Sequence, residues 1–373
     1  MMTDYARLYA GLLSESDPRT IPKRQDKGPI TQYHAEDLLR APYDLLESGE
    51  VRLSLYYPAA KKVEIEGHMF ACELHIDGDY HTGTCRVPPG FHPLKVFVDG
   101  SEVLDRYLPI GYGHGRPINY LSIPSGDDPR AVAEKERGSV EMVWLDSKIA
   151  GGYQRLFVYL PAQYHREPER RFPVLYLQHG HGENETAWFV NGRVHLLLDE
   201  LFASGEAEPA IVVMSNGMTA SLQGDSTVIH AFDGFIRMLT EEIVPFTDGR
   251  FRTISDREHR AVAGLSLGSI QASLAARKRP DLFVDVGLFS GFFRNPSNPP
   301  ELIPAEELCA FREKNHLLFR AIGTEDKYMA FFEADDRFLM EEGIPSVRKL
   351  YPGMHEWNVW RLCLRDFMQL VFH

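Results

Sequence analysis

Gly264-Leu265-Ser266-Leu267-Gly268 has the GxSxG spacing of a nucleophile elbow. The apolar run RAVAGLS leads into it and the alanine-rich run QASLAARKR leaves it. Strand before and helix after is the context such a turn needs, and a GxSxG in an arbitrary loop lacks both flanks. Glycines two positions either side of the serine let the chain close without collision. The turn then lifts the serine oxygen above the sheet, toward the helix N-terminus. Ser266 is the candidate nucleophile, and the chemistry it suggests is acyl transfer through a covalent serine ester.

A serine hydroxyl needs an adjacent base. In this turn context the partners follow in the order Ser, Asp or Glu, His. Beyond Asp326 only His355 and the terminal His373 remain. His355 sits in YPGMHEW, directly after the strand-like SVRKLYPG, at the carboxyl edge of a parallel sheet. The acid is expected just past the preceding strand, HLLFRAIG, where Thr324-Glu325-Asp326 follow. Asp326 is the choice and Glu325 the competitor, since adjacent side chains rarely point the same way. The acid would hold the His355 tautomer and stabilise the imidazolium.

Two backbone N–H groups should receive the oxyanion: Leu267, after the nucleophile, and His181, in the loop HGHGENE after PVLYLQHG. His179 and His181 could share a face of a strand as metal ligands, but no third ligand is evident, so neither metal nor cofactor is expected. Aromatics gather around these loops: Trp188, Phe189, Phe292, Phe293, Tyr328, Phe331, Phe332, Trp357 and Trp360. Most are expected in the core. Trp188 and Trp357 lie within a few residues of the reactive loops and are the choice for a platform under a substrate ring or sugar.

These residues need a scaffold, and the chain of 373 residues suits two domains. From Val51, short alternating runs (VRLSLYYP, KKVEIEG, CELHIDG, TGTCRVP, HPLKVFVDG, NYLSIP) broken by Gly, Pro and Asp suggest a small β-sandwich. The charged segment SGDDPRAVAEKERGS reads as a linker. From Glu141, strand-like runs alternate with helical ones, which means a mostly parallel sheet with helices on both faces. The expected organisation is an N-terminal extension over 1–29 with one helical stretch (Tyr5 to Leu13), an immunoglobulin-like β-sandwich over 30–124, a linker over 125–140 and an α/β-hydrolase domain over 141–373. Cys72 and Cys85 could face each other across a hairpin, and all four cysteines are expected as reduced thiols.

Composition narrows the partners. Hydrophobic residues make up 44% and charged residues 25%, enough to bury a large core. A formal net charge of -13 disfavours nucleic acid, and no apolar run is long enough to span a bilayer. The N-terminus has no signal-peptide pattern, so a cytoplasmic location is expected. Homo-oligomerisation is left open.

The segments QHGHGENETAW, PAIVVMSNG, AGLSLGS, GTED and PGMHEWNVWR, in that order from roughly Glu141 to His373, resemble the esterase-D or enterochelin-esterase superfamily, and within it carbohydrate esterase family 1. PPGFHPLKVFVDG and YGHGRPINYLSIP resemble the early-set domain (carbohydrate-binding module family 48) found ahead of such esterases. The resemblance maps Ser266, Asp326 and His355 onto the family triad. His181 and Met354 stand where glycine is common, Glu356 where aspartate is, and Ser269 where a second glycine is usual. The family includes feruloyl, acetylxylan and siderophore esterases, and acyltransferases. It implies a small-molecule or oligosaccharide ester substrate, with hydroxycinnamoyl esters of plant oligosaccharides favoured. A siderophore trilactone, an acetylated xylan, and a carbohydrate-binding protein with an inert hydrolase domain are the alternatives. The sandwich is expected to form one wall of the active site through GYGHGRPINY.

Overall fold

The computed structural model describes residues 39–126, 128–218, 228–296 and 301–373. The extension over 1–29, with its expected helical stretch, lies outside them. Two compact units divide the chain, one ending at Asp128 and the other running from Pro129 to His373.

The first unit is all β. Its strands are β1 (Tyr43–Leu45), β2 (Val51–Tyr56), β3 (Val63–Gly67), β4 (Ala71–Cys72), β5 (His75–Asp77), β6 (Tyr80–Cys85), β7 (Gly90–Val98), β8 (Ser101–Val103), β9 (Ile110–Gly113) and β10 (Arg116–Ile123). They form two antiparallel sheets, in the orders β1-β2-β6-β5 and β4-β3-β7-β10-β9, with β8 beside β7. Every second residue of β7 from Gly90 to Val96 is buried, as a strand with one face on a core requires. Val51, Leu53 and Leu55 of one sheet share a core with Val63, Leu94, Val96 and Leu121 of the other, so the sheets pack face to face. GYGHGRPINY falls on the β9–β10 hairpin.

One expectation in this unit needs correction. CELHIDG is not a single strand: Cys72 ends β4 in one sheet, and His75 begins β5 in the other. The crossing is close, because a Cβ on Gly83 would lie 2.1 Å from the Glu73 carbonyl oxygen. Cys72 and Cys85 therefore sit on opposite sheets of the sandwich rather than across a hairpin, and both are free thiols.

The second unit is built on an eight-stranded sheet. Its strands are β11 (Ser139–Ser147), β12 (Gly152–Leu160), β13 (Val174–Gln178), β14 (Ile211–Ser215), β15 (Arg260–Leu265), β16 (Asp285–Phe289), β17 (Leu317–Gly323) and β18 (Val347–Tyr351). The order is β11-β12-β14-β13-β15-β16-β17-β18. Only β12 runs against the rest; β13 to β18 are all parallel. β11 begins at Ser139, inside the segment expected as linker.

Every residue of β13 to β17 is buried, because helices cover both faces of the sheet. That is why these segments read as continuous apolar runs, whereas β11 alternates along its buried end and β18 is largely exposed. The helix Leu267–Lys278 buries ten of its residues, from Gly268 to Arg277. A helix not anticipated from the sequence, Trp357–Met368, sets Phe367 against Phe289 of β16 and Phe319 of β17. Its buried positions Trp357, Trp360, Cys363, Leu364 and Phe367 recur at helical spacing, so the signal was present in the chain.

The sheet core sets stability. Leu288→Ala, in fully buried β16, should cost about 2–5 kcal/mol. Met340→Ala, on an exposed helix position, should stay within about 0.5 kcal/mol of the parent. Urea unfolding followed by circular dichroism measures both, and equal losses would contradict this placing of the core.

Candidate active site

β15 ends at Leu265 and the helix Leu267–Lys278 begins two residues later, leaving Ser266 alone in the turn. Its backbone stands at φ 50 and ψ -117, outside the regions an L-residue favours. The flanking glycines have a concrete reason. A Cβ on Gly264 would lie 2.3 Å from the Gly268 carbonyl oxygen, and one on Gly268 would lie 2.4 Å from that of His179. The strained turn is pinned from two sides: the Ser266 N–H donates to the Phe289 carbonyl at 2.9 Å, and the Ser269 hydroxyl donates to the Ser266 carbonyl at 2.5 Å. Ser269 also accepts the Phe292 N–H at 2.9 Å, so the serine at this glycine-prone position ties the elbow to the chain beyond β16.

Ser266, His355 and Asp326 come together from the ends of β15, β18 and β17. His355 Nε2 is 2.9 Å from Ser266 Oγ, and its Nδ1 is 2.8 Å from Asp326 Oδ2. With a carboxylate on Nδ1, that nitrogen carries the proton and Nε2 is free to accept from the serine hydroxyl. Asp326 is buried, and its Oδ1 accepts the Tyr328 N–H at 2.9 Å. Burial pushes its carboxyl up, but the hydrogen bond and charge of His355, with the Tyr328 amide, outweigh burial and hold it below the usual aspartate value. Glu325 is exposed and its backbone N–H donates to the Gly353 carbonyl, while the carboxylate bonded to the imidazole is that of Asp326. The arrangement can deprotonate a serine hydroxyl and hold the resulting imidazolium beside an anion.

The loop after β13 borders the same turn. His179 is buried: its Nδ1 donates to the Gly180 carbonyl at 2.8 Å, and its Nε2 accepts the Gly217 N–H at 3.0 Å. Burial pushes its pKa down to about 4, so the ring is neutral. Both nitrogens of this ring are therefore spent on backbone, where it staples the loop after β13 to the loop after β14. Gly180 lies beside Ser266: a Cβ there would be 3.5 Å from Ser266 Cβ. His181 follows in an exposed turn. Leu267 opens its helix, so its N–H has no carbonyl one turn back.

The aromatic assignment needs correction. Trp188 is 1% exposed and donates its indole N–H to the Gln178 carbonyl at 2.8 Å. Trp357 is 5% exposed and packs edge-on against both Trp188 and Trp360. Both rings are enclosed by their neighbours, so neither presents a face to a ligand. The rings beside the imidazole are Tyr328 and Trp360, with centroids 5.0 and 5.1 Å from His355. Tyr328 continues into Phe292 and Phe331, and Phe331 is 45% exposed. Proximity in sequence favoured the tryptophans; only the packing separates the buried rings from the accessible ones.

The Esterase family model matches residues 147–369. An endo-1,4-beta-xylanase/feruloyl esterase of Xylanibacter ruminicola is 33% identical over 301 residues, which are 78% of this chain and 40% of that protein. Endo-1,4-beta-xylanase Y of Acetivibrio thermocellus is 30% identical over 250 residues, 60% of this chain and 22% of that protein. The chain thus spans less than half the length of these two relatives. Among solved structures, a CE1 ferulic acid esterase from Anaeromyces mucronatus in complex with ferulic acid aligns with TM-score 0.59 at 22% identity, over 66% of this chain and 96% of that one. Enterochelin esterase from Shigella flexneri aligns with TM-score 0.61 at 16% identity, over 89% and 96%. These two are likenesses of fold, that of an α/β-hydrolase. With the family match covering most of the sheet domain, from the end of β11 into the last helix, this chain belongs to the Esterase family.

Proposed function

We propose that this chain is a serine carboxylic-ester hydrolase working through an acyl-enzyme on Ser266. The observation that carries the reading is the continuous hydrogen-bonded chain from Asp326 through His355 to Ser266 at a strained strand–helix turn. His355 Nε2 takes the hydroxyl proton as Ser266 Oγ attacks the ester carbonyl. Asp326 keeps the imidazole in register and balances its charge without taking the proton itself. The Leu267 and His181 N–H groups receive the oxyanion. His355 then protonates the departing alcohol, and water reverses the sequence to release the acid.

The substrate we propose is a hydroxycinnamoyl ester of a plant oligosaccharide. Two things support it: the combined xylanase and feruloyl esterase name of the Xylanibacter relative, and the accessible ring of Phe331 continuing to Tyr328 beside His355. A flat aryl-acrylate gains from such a wall, while an acetyl group gives it almost nothing to hold.

Ser266→Ala removes one oxygen and leaves the turn as it is, so the protein should fold and lose about a million-fold in turnover. Hydrolysis of a chromogenic short-chain ester reads this, and near-normal turnover would end the reading, in favour of a binding protein with an inert domain. Asp326→Asn should cost about ten-thousand-fold in kcat, whereas Glu325→Gln should change kcat little; the reverse ranking would reassign the acid. For the substrate, kcat/KM should rank a feruloylated arabinoxylan oligosaccharide and methyl ferulate above an acetylated xylo-oligosaccharide and a catecholate trilactone. Phe331→Ala should lower the feruloyl values selectively. A preference for the trilactone would move the protein to siderophore release, and a preference for acetate would remove the aromatic wall from the argument.

A further inference from the structure

Glu183 lies in the turn after β13, and the chain Asp326–His355–Ser266 does not use it. The residue keeps some exposure while its carboxyl group is enclosed. Its Oε2 accepts the Gly180 N–H at 2.9 Å, and the side chains of Asn191 and Trp357 stand close enough to its carboxyl to favour the charged form. These donors belong to separate parts of the site. Gly180 lies under Ser266 and immediately precedes the His181 amide. Asn191 follows the short helix Ala187–Val190. Trp357 opens the last helix, two residues after His355. A carboxylate bridging them leaves the loop after β13 and the His355 turn little freedom to move apart.

We propose that Glu183 is a positioning residue for acyl transfer: its carboxylate binds the Gly180 amide and the Trp357 indole at once, fixing the loop that offers the His181 N–H relative to the His355 turn. The inference rests on the reaction proposed at Ser266. Only the ionised carboxylate accepts from all its partners; protonation turns one oxygen into a donor facing donors. Burial pushes the Glu183 carboxyl up to about 7, against the opposing pull of its hydrogen bonds from Gly180, Asn191 and Trp357. The ionisable groups on neighbouring elements are His179 and His181 in the same loop, Glu185 paired with Arg155, Arg193 ahead of the helix Val194–Ser204, and His355 and Glu356 ahead of the last helix. The partners bonded to Glu183 are all neutral. The sign follows: as pH falls through about 7 the carboxylate is lost, the clamp loosens and turnover drops.

The test uses the full chain, 4-nitrophenyl acetate, and kcat and KM measured from pH 5 to 9. In the parent, loss of the Glu183 carboxylate adds to the single protonation expected of a serine–histidine mechanism, so the acid limb of log kcat/KM should steepen beyond a one-proton slope. Glu183→Gln should lower kcat by about 10–100-fold, as a small misplacement does, with KM little changed and the acid limb reduced to one proton. Glu183→Asp should keep the second ionisation. A one-proton limb in the parent overturns the proposal, and so does a folded Glu183→Gln with parental kcat and profile. If the parent hydrolyses no ester, the reaction at Ser266 falls and the clamp with it; an active parent beside an unaltered Glu183→Gln removes the clamp alone.

Discussion

The helix Leu267–Lys278 meets the end of β13 at a distance that leaves no room for a side chain on Gly268, whose Cβ would touch the carbonyls of both His179 and Gln178. This close approach is the constraint on which the site depends. It forces Ser266 into a left-handed backbone conformation between strand and helix. It also brings the loop after β13 alongside the serine, so that in the proposed reaction a backbone amide of one segment can bind the oxygen of the carbonyl whose carbon the Ser266 side chain attacks. Close packing leaves this geometry no slack: a methyl group at this contact would displace backbone, not a flexible side-chain end.

The rest of the unit works to hold that contact. β13 and β15 are adjacent and in register, with Gln178 opposite Gly264, so the elbow and the loop leave the sheet at the same level. β16 lies on the other side of β15, and the Phe289 carbonyl receives the Ser266 amide. β17 and β18 come next in the order, and the turns after them carry Asp326 and His355. Parallel strands end on the same edge, and that is how residues 89 positions apart come within hydrogen-bonding distance. The Thr324 and Glu325 amides donate to Tyr351 and Gly353, joining the acid turn to the histidine turn.

Two enclosed ionisable groups beside Ser266 have stated partners. Asp326 is offset by His355 and the Tyr328 amide, and His179 is neutral and bonded through both nitrogens. Glu183 is the exception in kind, a carboxylate held by neutral donors with no cation bonded to it. Burying a carboxylate with neutral donors alone is costly, and the cost appears as the rise of its pKa to about 7; the ground for a positioning role is its place between the Gly180 amide and the His355 turn.

The serine elbow, the histidine that reaches it and the alternation of strands and helices were legible in the chain. Each is encoded locally: glycine spacing around Ser266, apolar runs of strand length, and the order in which residues follow one another. Asp326 over Glu325 was also within reach, since a turn exposes one neighbour and buries the other. The C-terminal helix is written in the spacing of Trp357, Trp360, Cys363 and Phe367. What only the tertiary structure decided is which aromatics are accessible and which carboxylate is enclosed. Trp188 and Tyr328 are alike as sequence neighbours of the site. One is sealed by Gln178, Phe289 and Trp357, while the other faces the imidazole. Likewise Glu183 reads as one more acidic loop residue until Gly180, Asn191 and Trp357 close over it. Exposure is a property of what packs around a side chain, and those neighbours come from segments up to 174 positions away (183 to 357), beyond anything local spacing records.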